Sequence, residues 1–145
     1  MSCRICAAPT KKTGHLYRCQ SQKCGGVYWD KKQVNSLLRQ APENLEAILR
    51  DAEVPKALQG PKTYFVYVLR LRRAVNAVYV GMTSYHPYQR YLNHITGNKA
   101  SRHARKNATA LITYEGPMTK TQAEKREREL AEELRIMGKL VRGGH

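Results

Sequence analysis

The chain has 145 residues, which suits one ordinary domain or a small domain joined to a very small one. Its 26 lysines and arginines against 11 acidic residues give a net charge of +15. An excess of this size indicates a polyanionic partner, most often nucleic acid, although a merely soluble basic surface is the alternative. The apolar content of 41% argues against full-length disorder. No apolar run is long enough to span a membrane and the first residues carry no signal-peptide pattern, so we expect an intracellular, cytoplasmic protein without a membrane partner.

All four cysteines lie within the first 24 residues, spaced as C-x2-C, twelve residues and C-x4-C. In a reducing compartment, clustered cysteines are more typical of metal ligands than of disulfides. Four thiolates complete a tetrahedral shell around Zn²⁺, whose binding would supply folding energy to so small a module. The sequence therefore predicts a structural zinc site whose ligands are Cys3, Cys6, Cys19 and Cys24. Disulfides, a redox-active pair, or His15 in place of one cysteine are the alternatives.

The residues that follow the last cysteine read Cys-Gly-Gly-Val-Tyr-Trp-Asp and lead into a short leucine-ended helix near Leu38. This pattern resembles the second half of a transcription-factor-type zinc ribbon, and the resemblance covers residues 3–38. The second knuckle departs from it, because that ribbon usually has C-x2-C there. We expect the segment from Lys11 to Arg18 to form the ribbon hairpin. Tyr28 and Trp29 could pack the ribbon, which we favour, or stack on bases.

A connector follows the ribbon. The stretch Ala-Pro-Glu-Asn at residues 41–44 breaks the pattern, and Leu45, Ile48 and Leu49 then recur at helical spacing. We expect this helix to end before Pro55 and to pack on one neighbouring domain or the other. The predicted organisation is a zinc ribbon over residues 1–38, a helical linker over 39–60 and a second domain over 61–145.

The second domain is predicted to be of the α/β (α+β) class, with a small three-stranded mixed sheet and flanking helices. Strands are expected at residues 64–71, 77–82 and 109–114, the first two as an antiparallel hairpin. Apolar residues at helical spacing predict a helix that starts near Pro87. Thr119 or Thr121 should cap a long last helix, with an apolar stripe of Ala123, Leu130, Leu134 and Met137. The tail from Gly143 is expected to fray.

Five features of residues 61–137 resemble a GIY-YIG nuclease domain. They are Val66-Tyr67-Val68 on the first strand, Tyr79-Val80-Gly81 on the second, Arg90 and His94 on the next helix, and Ala-x3-Glu-x2-Leu centred on Glu127. The resemblance implies a divalent-metal-dependent endonuclease that hydrolyses phosphodiester bonds, most often of DNA. Valine replaces the Gly-Ile of the family name, and no asparagine follows the last helix. Asn107 is the nearest substitute.

The resemblance implies a catalytic set of Tyr67, Tyr79, Arg90, His94 and Glu127. Glu127 offers a hard oxygen ligand to Mg²⁺ or Mn²⁺, and Arg90 offers a charged donor fork to phosphate. A phenol near a cation and an arginine could have its pKa lowered, so Tyr67 is favoured as the base and Tyr79 as its orienting partner. Taken singly, these residues would be strand aromatics, surface charges and a solvated helix.

A basic stretch between the first helix and the third strand is expected to contact the phosphate backbone. Its nucleic-acid-binding candidates, together with Gly81 beside the phosphate, are Lys99, Arg102, His103, Arg105 and Lys106, with further charge from Arg70, Arg72 and Arg73. The alternative for this stretch is a solvated loop. Tyr85, His86 and Tyr88 could stack on an unpaired base, or Tyr88 could pack the helix.

Two other functions compete with the endonuclease. A non-catalytic, basic nucleic-acid-binding regulator would use the same surfaces, and a zinc-ribbon adaptor would contact protein. The ribbon could dock the enzyme on DNA, contact a protein or only stabilise the fold, and docking is favoured. Duplex, branched and single-stranded substrates are all compatible with the sequence, which sets no oligomeric state.

Overall fold

The computed structural model describes residues 2–54, 58–72, 76–96 and 108–143. These residues form one seven-stranded sheet in the order β1-β2-β3-β6-β4-β5-β7 and four helices. The elements are β1 (Thr10–Thr13), β2 (Leu16–Cys19), β3 (Val27–Trp29), α1 (Lys31–Gln40), α2 (Asn44–Asp51), β4 (Tyr64–Leu71), β5 (Ala77–Thr83), α3 (Pro87–Thr96), β6 (Ala108–Met118), α4 (Lys120–Ile136) and β7 (Leu140–Gly143). The predicted α/β class with a mixed sheet is confirmed, but the sheet is larger than the three strands expected.

The N-terminal residues form an antiparallel hairpin of β1 and β2, and β3 pairs with β2. Gly14 makes the hairpin turn with a φ of 59°, a conformation that glycine adopts without strain. Asp30 caps α1, because its side chain accepts a hydrogen bond from the Gln33 amide at 3.0 Å. The hairpin between Lys11 and Arg18 and the short helix after Asp30 therefore form as predicted.

The N-terminal module and the C-terminal region share one sheet and one core. Val27 of β3 pairs with Leu111 of β6, which joins the three ribbon strands to the remaining four. Trp29, Ile48 of α2 and Tyr91 of α3 belong to the same buried apolar cluster. The division into a ribbon over residues 1–38, a linker over 39–60 and a second domain over 61–145 stays a prediction. In the structure these segments bury apolar surface against one another.

The central strand β4 has a different environment on each face. It pairs with β5 on one side, with Val68 opposite Val80, and with β6 on the other, with Tyr67 opposite Tyr114. Because side chains alternate along a strand, Val66 and Val68 point to α4 while Tyr67 and Leu69 point to α3 and the ribbon. Burial on both faces explains why β4 reads as a nearly continuous apolar run.

The last helix is fixed at its start by Thr119, one of the two caps expected. Thr119 and Gln122 form a reciprocal capping box. The stripe includes buried Ala123 and Leu130 and half-buried Leu134 as predicted, but Met137 lies just past the end of α4 and is 70% exposed. No helix of the described part of the chain combines the length and apolar character that crossing a bilayer demands.

The segment after α4 is a strand that the sequence reading missed. Residues Leu140–Gly143 form β7, parallel to β5, with Ala77 opposite Leu140 and Val80 opposite Gly143. The expectation that the tail frays from Gly143 onward is therefore wrong at Gly143 itself. The four residues leucine, valine, arginine and glycine carry little local signal for a strand, and their pairing partner lies about 60 residues earlier.

Candidate active site and zinc centre

The four cysteines form a compact cluster whose dimensions fit a zinc ion. Their Sγ atoms all lie within 4.8 Å of one another. Cys3 and Cys24 are 3.9 Å apart, and Cys6 and Cys19 are 3.5 Å apart. A tetrahedron of thiolates with Zn–S bonds of about 2.3 Å has edges of about 3.8 Å. The thiols are free, and His15 lies outside the cluster, so the donors match a four-cysteine zinc site.

Backbone amides support each thiol in the same way. The amide two residues further along the chain donates to each sulfur: Ile5 to Cys3, Ala8 to Cys6, Ser21 to Cys19 and Gly26 to Cys24. Such bonds orient the ligands and favour the thiolate. Burial nevertheless raises the pKa of Cys24 to about 12. A bound cation would favour the thiolate form of the clustered cysteines.

The two tyrosines of the hairpin lie on the same face of the sheet as diagonal neighbours. Tyr67 pairs with Gly81 and Tyr79 pairs with Leu69, so the two tyrosines do not sit directly opposite each other. Their ring centroids are 6.3 Å apart. The hairpin register therefore brings both phenols to one place, as the sequence pattern requires.

Gly81 provides the space that the Tyr67 phenol occupies. A Cβ at Gly81 would lie 2.5 Å from the Tyr67 hydroxyl oxygen. The ring of Tyr67 thus leans over β5, and any side chain at position 81 would displace it. This gives Gly81 a role within the protein. The predicted contact of Gly81 with the phosphate backbone stays a prediction.

Helix α3 brings a buried histidine against the hydroxyl of Tyr67. His94 is fully buried, and its Nε2 lies 2.7 Å from the Tyr67 oxygen, while its ring is 5.6 Å from that of Tyr79. Burial, reinforced by the nearby charge of Arg90, lowers the pKa of His94 to about 3. The imidazole is therefore neutral near pH 7, and one tautomer lets its Nε2 accept the phenolic hydrogen bond.

The environment raises rather than lowers the pKa of Tyr67. Burial is the main cause and the charge of Tyr79 adds to it, while the charge and hydrogen bond of Arg90 oppose them. The sequence expectation of a lowered pKa is wrong for the protein by itself, because the phenol is 1% exposed and one arginine does not offset its desolvation. At neutral pH, Tyr67 is a neutral phenol bonded to His94.

The candidate metal ligand Glu127 comes from the opposite helix. Its side chain is 9% exposed and lies on the stripe of α4 that faces the sheet, between Ala123 and Ala131. Its charge acts on the Tyr67 phenol, as do those of Tyr79 and Arg90. The neighbouring Arg126 ties α4 to β6 with a bond of 2.9 Å to Glu115. One carboxylate of this kind, completed by water, suits Mg²⁺ or Mn²⁺.

The structure thus brings together all five residues of the predicted catalytic set. The contacts of Tyr67 connect them: His94 by a hydrogen bond, Tyr79 by its ring, and Arg90 and Glu127 by charge. The predicted basic stretch lies outside the described residues, and with it Lys99, Arg102, His103, Arg105, Lys106 and Asn107; Arg73 does as well.

Several aromatic residues have environments that the sequence left open. Tyr28 and Trp29 are at most 1% exposed, and Trp29 stacks on Tyr91 at 5.7 Å, so they pack the core and do not stack on bases. Tyr88 is also buried, as its packing alternative required. The sequence reading missed Tyr114, which pairs with Tyr67 and is 38% exposed. Tyr114 is the last residue of the expected third strand, and that position could have indicated an aromatic side chain near the site.

A comparison with protein-family models agrees with this geometry. Residues 63–139 match the model of the GIY-YIG catalytic domain, more than half of the chain. The chain belongs to the GIY-YIG catalytic domain family, and it is accordingly an endonuclease that hydrolyses phosphodiester bonds of nucleic acid. The match does not extend to the cysteine cluster. Searches of curated proteins and of solved structures gave no match.

Proposed function

We propose that the protein is a divalent-metal-dependent endonuclease of DNA whose zinc ribbon helps to dock the substrate. The observation that carries the proposal is the surroundings of the Tyr67 hydroxyl. His94 lies 2.7 Å from it and Arg90 also bonds it, while the charges of Tyr79 and Glu127 act on it. A solvated helix and a set of ordinary strand aromatics have no reason to direct a carboxylate, a guanidinium and an imidazole at one buried phenol.

The chemistry proposed for these side chains follows from their protonation states. Arg90 binds a phosphate oxygen and orients the phosphodiester. The Tyr67 oxygen, while its proton is donated to His94, accepts a hydrogen bond from the attacking water. Negative charge of the bound phosphodiester would offset Arg90 and raise the pKa of His94 from its value of about 3. As the water attacks, its proton then passes to Tyr67 and the phenolic proton passes to Nε2 of His94, so that each group that gives up a proton receives one or ends as the neutral or protonated acceptor. Mg²⁺ or Mn²⁺ held by Glu127 would supply Lewis-acid stabilisation of the phosphate and leaving oxygens.

Charge supports the choice of nucleic acid and of a docking role for the ribbon. Lys11, Lys12 and Arg18 are exposed on the ribbon hairpin, and the ribbon is continuous with β6 of the catalytic sheet. A backbone that follows this sheet would pass from the catalytic face to these cations. A protein-contact adaptor would have no use for the net charge of +15.

The test is a cleavage panel of single-stranded, duplex and branched DNA and of RNA, with Mg²⁺ or Mn²⁺ and the zinc-loaded full chain. We expect Glu127→Gln to lower the cleavage rate at least about 100-fold, because removal of a metal ligand disables the Lewis acid. Glu132→Gln, on the same helix but 65% exposed in its side chain, is the matched control and should cleave normally.

Unchanged melting temperatures would show that both variants fold. A Glu127→Gln protein that cleaves at the wild-type rate would overturn the proposed site. A wild-type protein that binds DNA with a steep salt dependence but cuts no substrate would favour the non-catalytic regulator. In the same panel, a Lys11→Gln/Lys12→Gln variant should bind DNA more weakly if the ribbon docks the substrate.

A further inference from the structure

We propose that an aromatic shelf beside the active site, formed by Phe65, His86, Tyr88 and Tyr114, binds one unpaired nucleobase of the substrate next to the scissile phosphate. This inference rests on the proposed function and names its substrate class. The enzyme would then prefer nucleic acid with an unpaired base at the cut, as in single strands and branch points, over a continuous duplex.

The sheet register places the shelf next to the reacting groups. Tyr114 of β6 is the direct pairing partner of Tyr67 of β4, and side chains of such a pair project from the same face. The Tyr67 ring leans the other way, over Gly81 and towards His94. Tyr114 therefore flanks the catalytic phenol on the side that leads to the ribbon.

The shelf has a buried lower layer and an open upper one. Phe65 is 3% exposed and Tyr88 is 8% exposed, but Tyr114 keeps 38% of its surface open. The Tyr114 ring centroid lies 6.1 Å from that of Phe65, 5.4 Å from that of His86 and 5.9 Å from that of Tyr88. Three ring contacts hold Tyr114 in place, so a rigid aromatic surface faces outward at little entropic cost.

A cleft beside Tyr114 provides room for a ligand. Its volume is about 200 Å³. Its lining includes Gly25 beside the last cysteine, Val27 of β3, Tyr88 of α3 and Tyr114 of β6. A Cβ built on Gly25 would meet no atom within 4 Å, so the knuckle side is open. The cleft thus connects the catalytic face with the ribbon.

The electrostatics of the shelf suit a nucleotide. Arg18 donates a hydrogen bond to the Tyr88 hydroxyl at 3.3 Å, and its charge also acts on Tyr114. None of the residues that line the cleft is acidic, and the next carboxylate along β6, Glu115, is bound by Arg126. A nucleobase can stack on the flat ring of Tyr114 while the phosphate of the same nucleotide binds the guanidinium of Arg18.

The geometry selects an unpaired base in particular. In a continuous duplex both faces of each base are covered by neighbouring bases, so stacking on Tyr114 would require the base to leave the helix. A base that is already unpaired avoids that cost. Because the shelf adjoins Tyr67, it would place the phosphate beside such a base at Arg90 and so determine where the strand is cut.

The experiment measures binding and cleavage separately in the zinc-loaded full chain. Binding is measured in the Glu127→Gln background by fluorescence anisotropy, with a single strand, a duplex, and a single strand that carries 2-aminopurine. Tyr114→Leu should weaken single-strand affinity at least about fivefold, the effect of losing one base–aromatic stack, with less than about a twofold change for the duplex. Tyr114→Leu should also abolish the quenching of 2-aminopurine fluorescence that accompanies stacking of this base on the Tyr114 ring.

Two matched variants separate stacking from folding. Tyr114→Phe keeps the ring and should bind like the parent, while Ile136→Ala truncates an apolar side chain that is 78% exposed at the end of α4, outside the shelf, and should change nothing. Equal losses for single strand and duplex, or an equal effect of Ile136→Ala, would overturn the shelf. If the wild-type protein cleaves and the Tyr114→Leu protein keeps the same preference for single strands over duplex, the shelf proposal is wrong and the proposed nuclease function stands. If Tyr114→Leu weakens single-strand binding as expected but the wild-type protein cleaves no substrate, the proposed nuclease function is wrong and the shelf proposal stands.

Discussion

The two faces of the central sheet differ in residue composition and in how many buried polar atoms lack a hydrogen-bond partner. The face towards α4 is packed by aliphatic residues, chiefly the valines of β4 and β5 against Ala123, Leu130 and Ala131. The face towards α3 and the ribbon buries Trp29, Tyr67, Tyr91 and His94. Trp29 Nε1 and His94 Nδ1 are buried there with no hydrogen-bond partner among the described residues. Apart from Glu127, the α4 face supplies packing, and the α3 face carries the other polar groups of the candidate site at a cost in stability.

Packing of the ribbon against α3 offsets the loss of stability from the unsatisfied polar groups on the α3 face. Trp29 of β3 stacks on Tyr91 at 5.7 Å and meets Tyr88 edge-on at 6.3 Å. Both tyrosines belong to α3, the helix that also carries Arg90 and His94. The module that carries the four-cysteine cluster thus packs against the helix that positions two catalytic candidates.

The largest expected effect is that of removing zinc. Structural zinc contributes on the order of 10 kcal/mol in small zinc domains, so chelation or Cys19→Ser should release the ribbon from α3. Trp29 is the only tryptophan of the chain and is fully buried. Its fluorescence emission should shift to the red and DNA cleavage should be lost. Zinc, but not added Mg²⁺, should restore both; an unchanged emission would show that the ribbon packs without metal.

A pair of adjacent residues on β4 tests the contrast between the faces directly. Tyr67→Phe removes one hydroxyl from the α3 face and should lower kcat by about 100-fold or more with little loss of stability. Val68→Ala removes two buried methyl groups from the α4 face. It should cost about 2 kcal/mol in urea unfolding and leave kcat of the folded enzyme within about twofold. The reverse pattern, with Val68→Ala lowering kcat and Tyr67→Phe lowering stability, would contradict the assignment of the two faces.

The smallest effect expected near neutral pH is the response to acid. The pKa of His94 is lowered to about 3 in the folded state from about 6.5 in the unfolded state. Above about pH 6.5 both states are neutral at this site. As pH falls towards 3 only the unfolded state takes up the proton, so the free energy of unfolding should fall by up to about 1.4 kcal/mol per pH unit. His94→Gln should flatten this slope in urea titrations at several pH values, and His86→Asn should alter it less. A slope that His94→Gln leaves intact would place the acid sensitivity elsewhere.

Local patterns were sufficient for most elements of the described chain. The bounds of β4 were predicted to the residue, β5 to within one, and α2 and the cap of α4 also form where expected. The positions of Arg90 and His94 on one helix and of Tyr67 and Tyr79 on one hairpin followed from the same patterns. These features depend on caps, turns and periodicity within about ten residues, which the sequence contains directly.

The sequence by itself determined the cysteine cluster and most of the secondary structure, because both depend on residue type at short spacing. The candidate catalytic set came from the resemblance to the GIY-YIG family and stays a prediction. Only the tertiary structure decided that β3 joins β6 through Val27 and Leu111, that β7 extends the sheet, and that Tyr114 flanks Tyr67. It also reversed the expected direction of the Tyr67 pKa. Strand partners distant in sequence and the desolvation of a buried phenol depend on what packs around a residue, which no local pattern records.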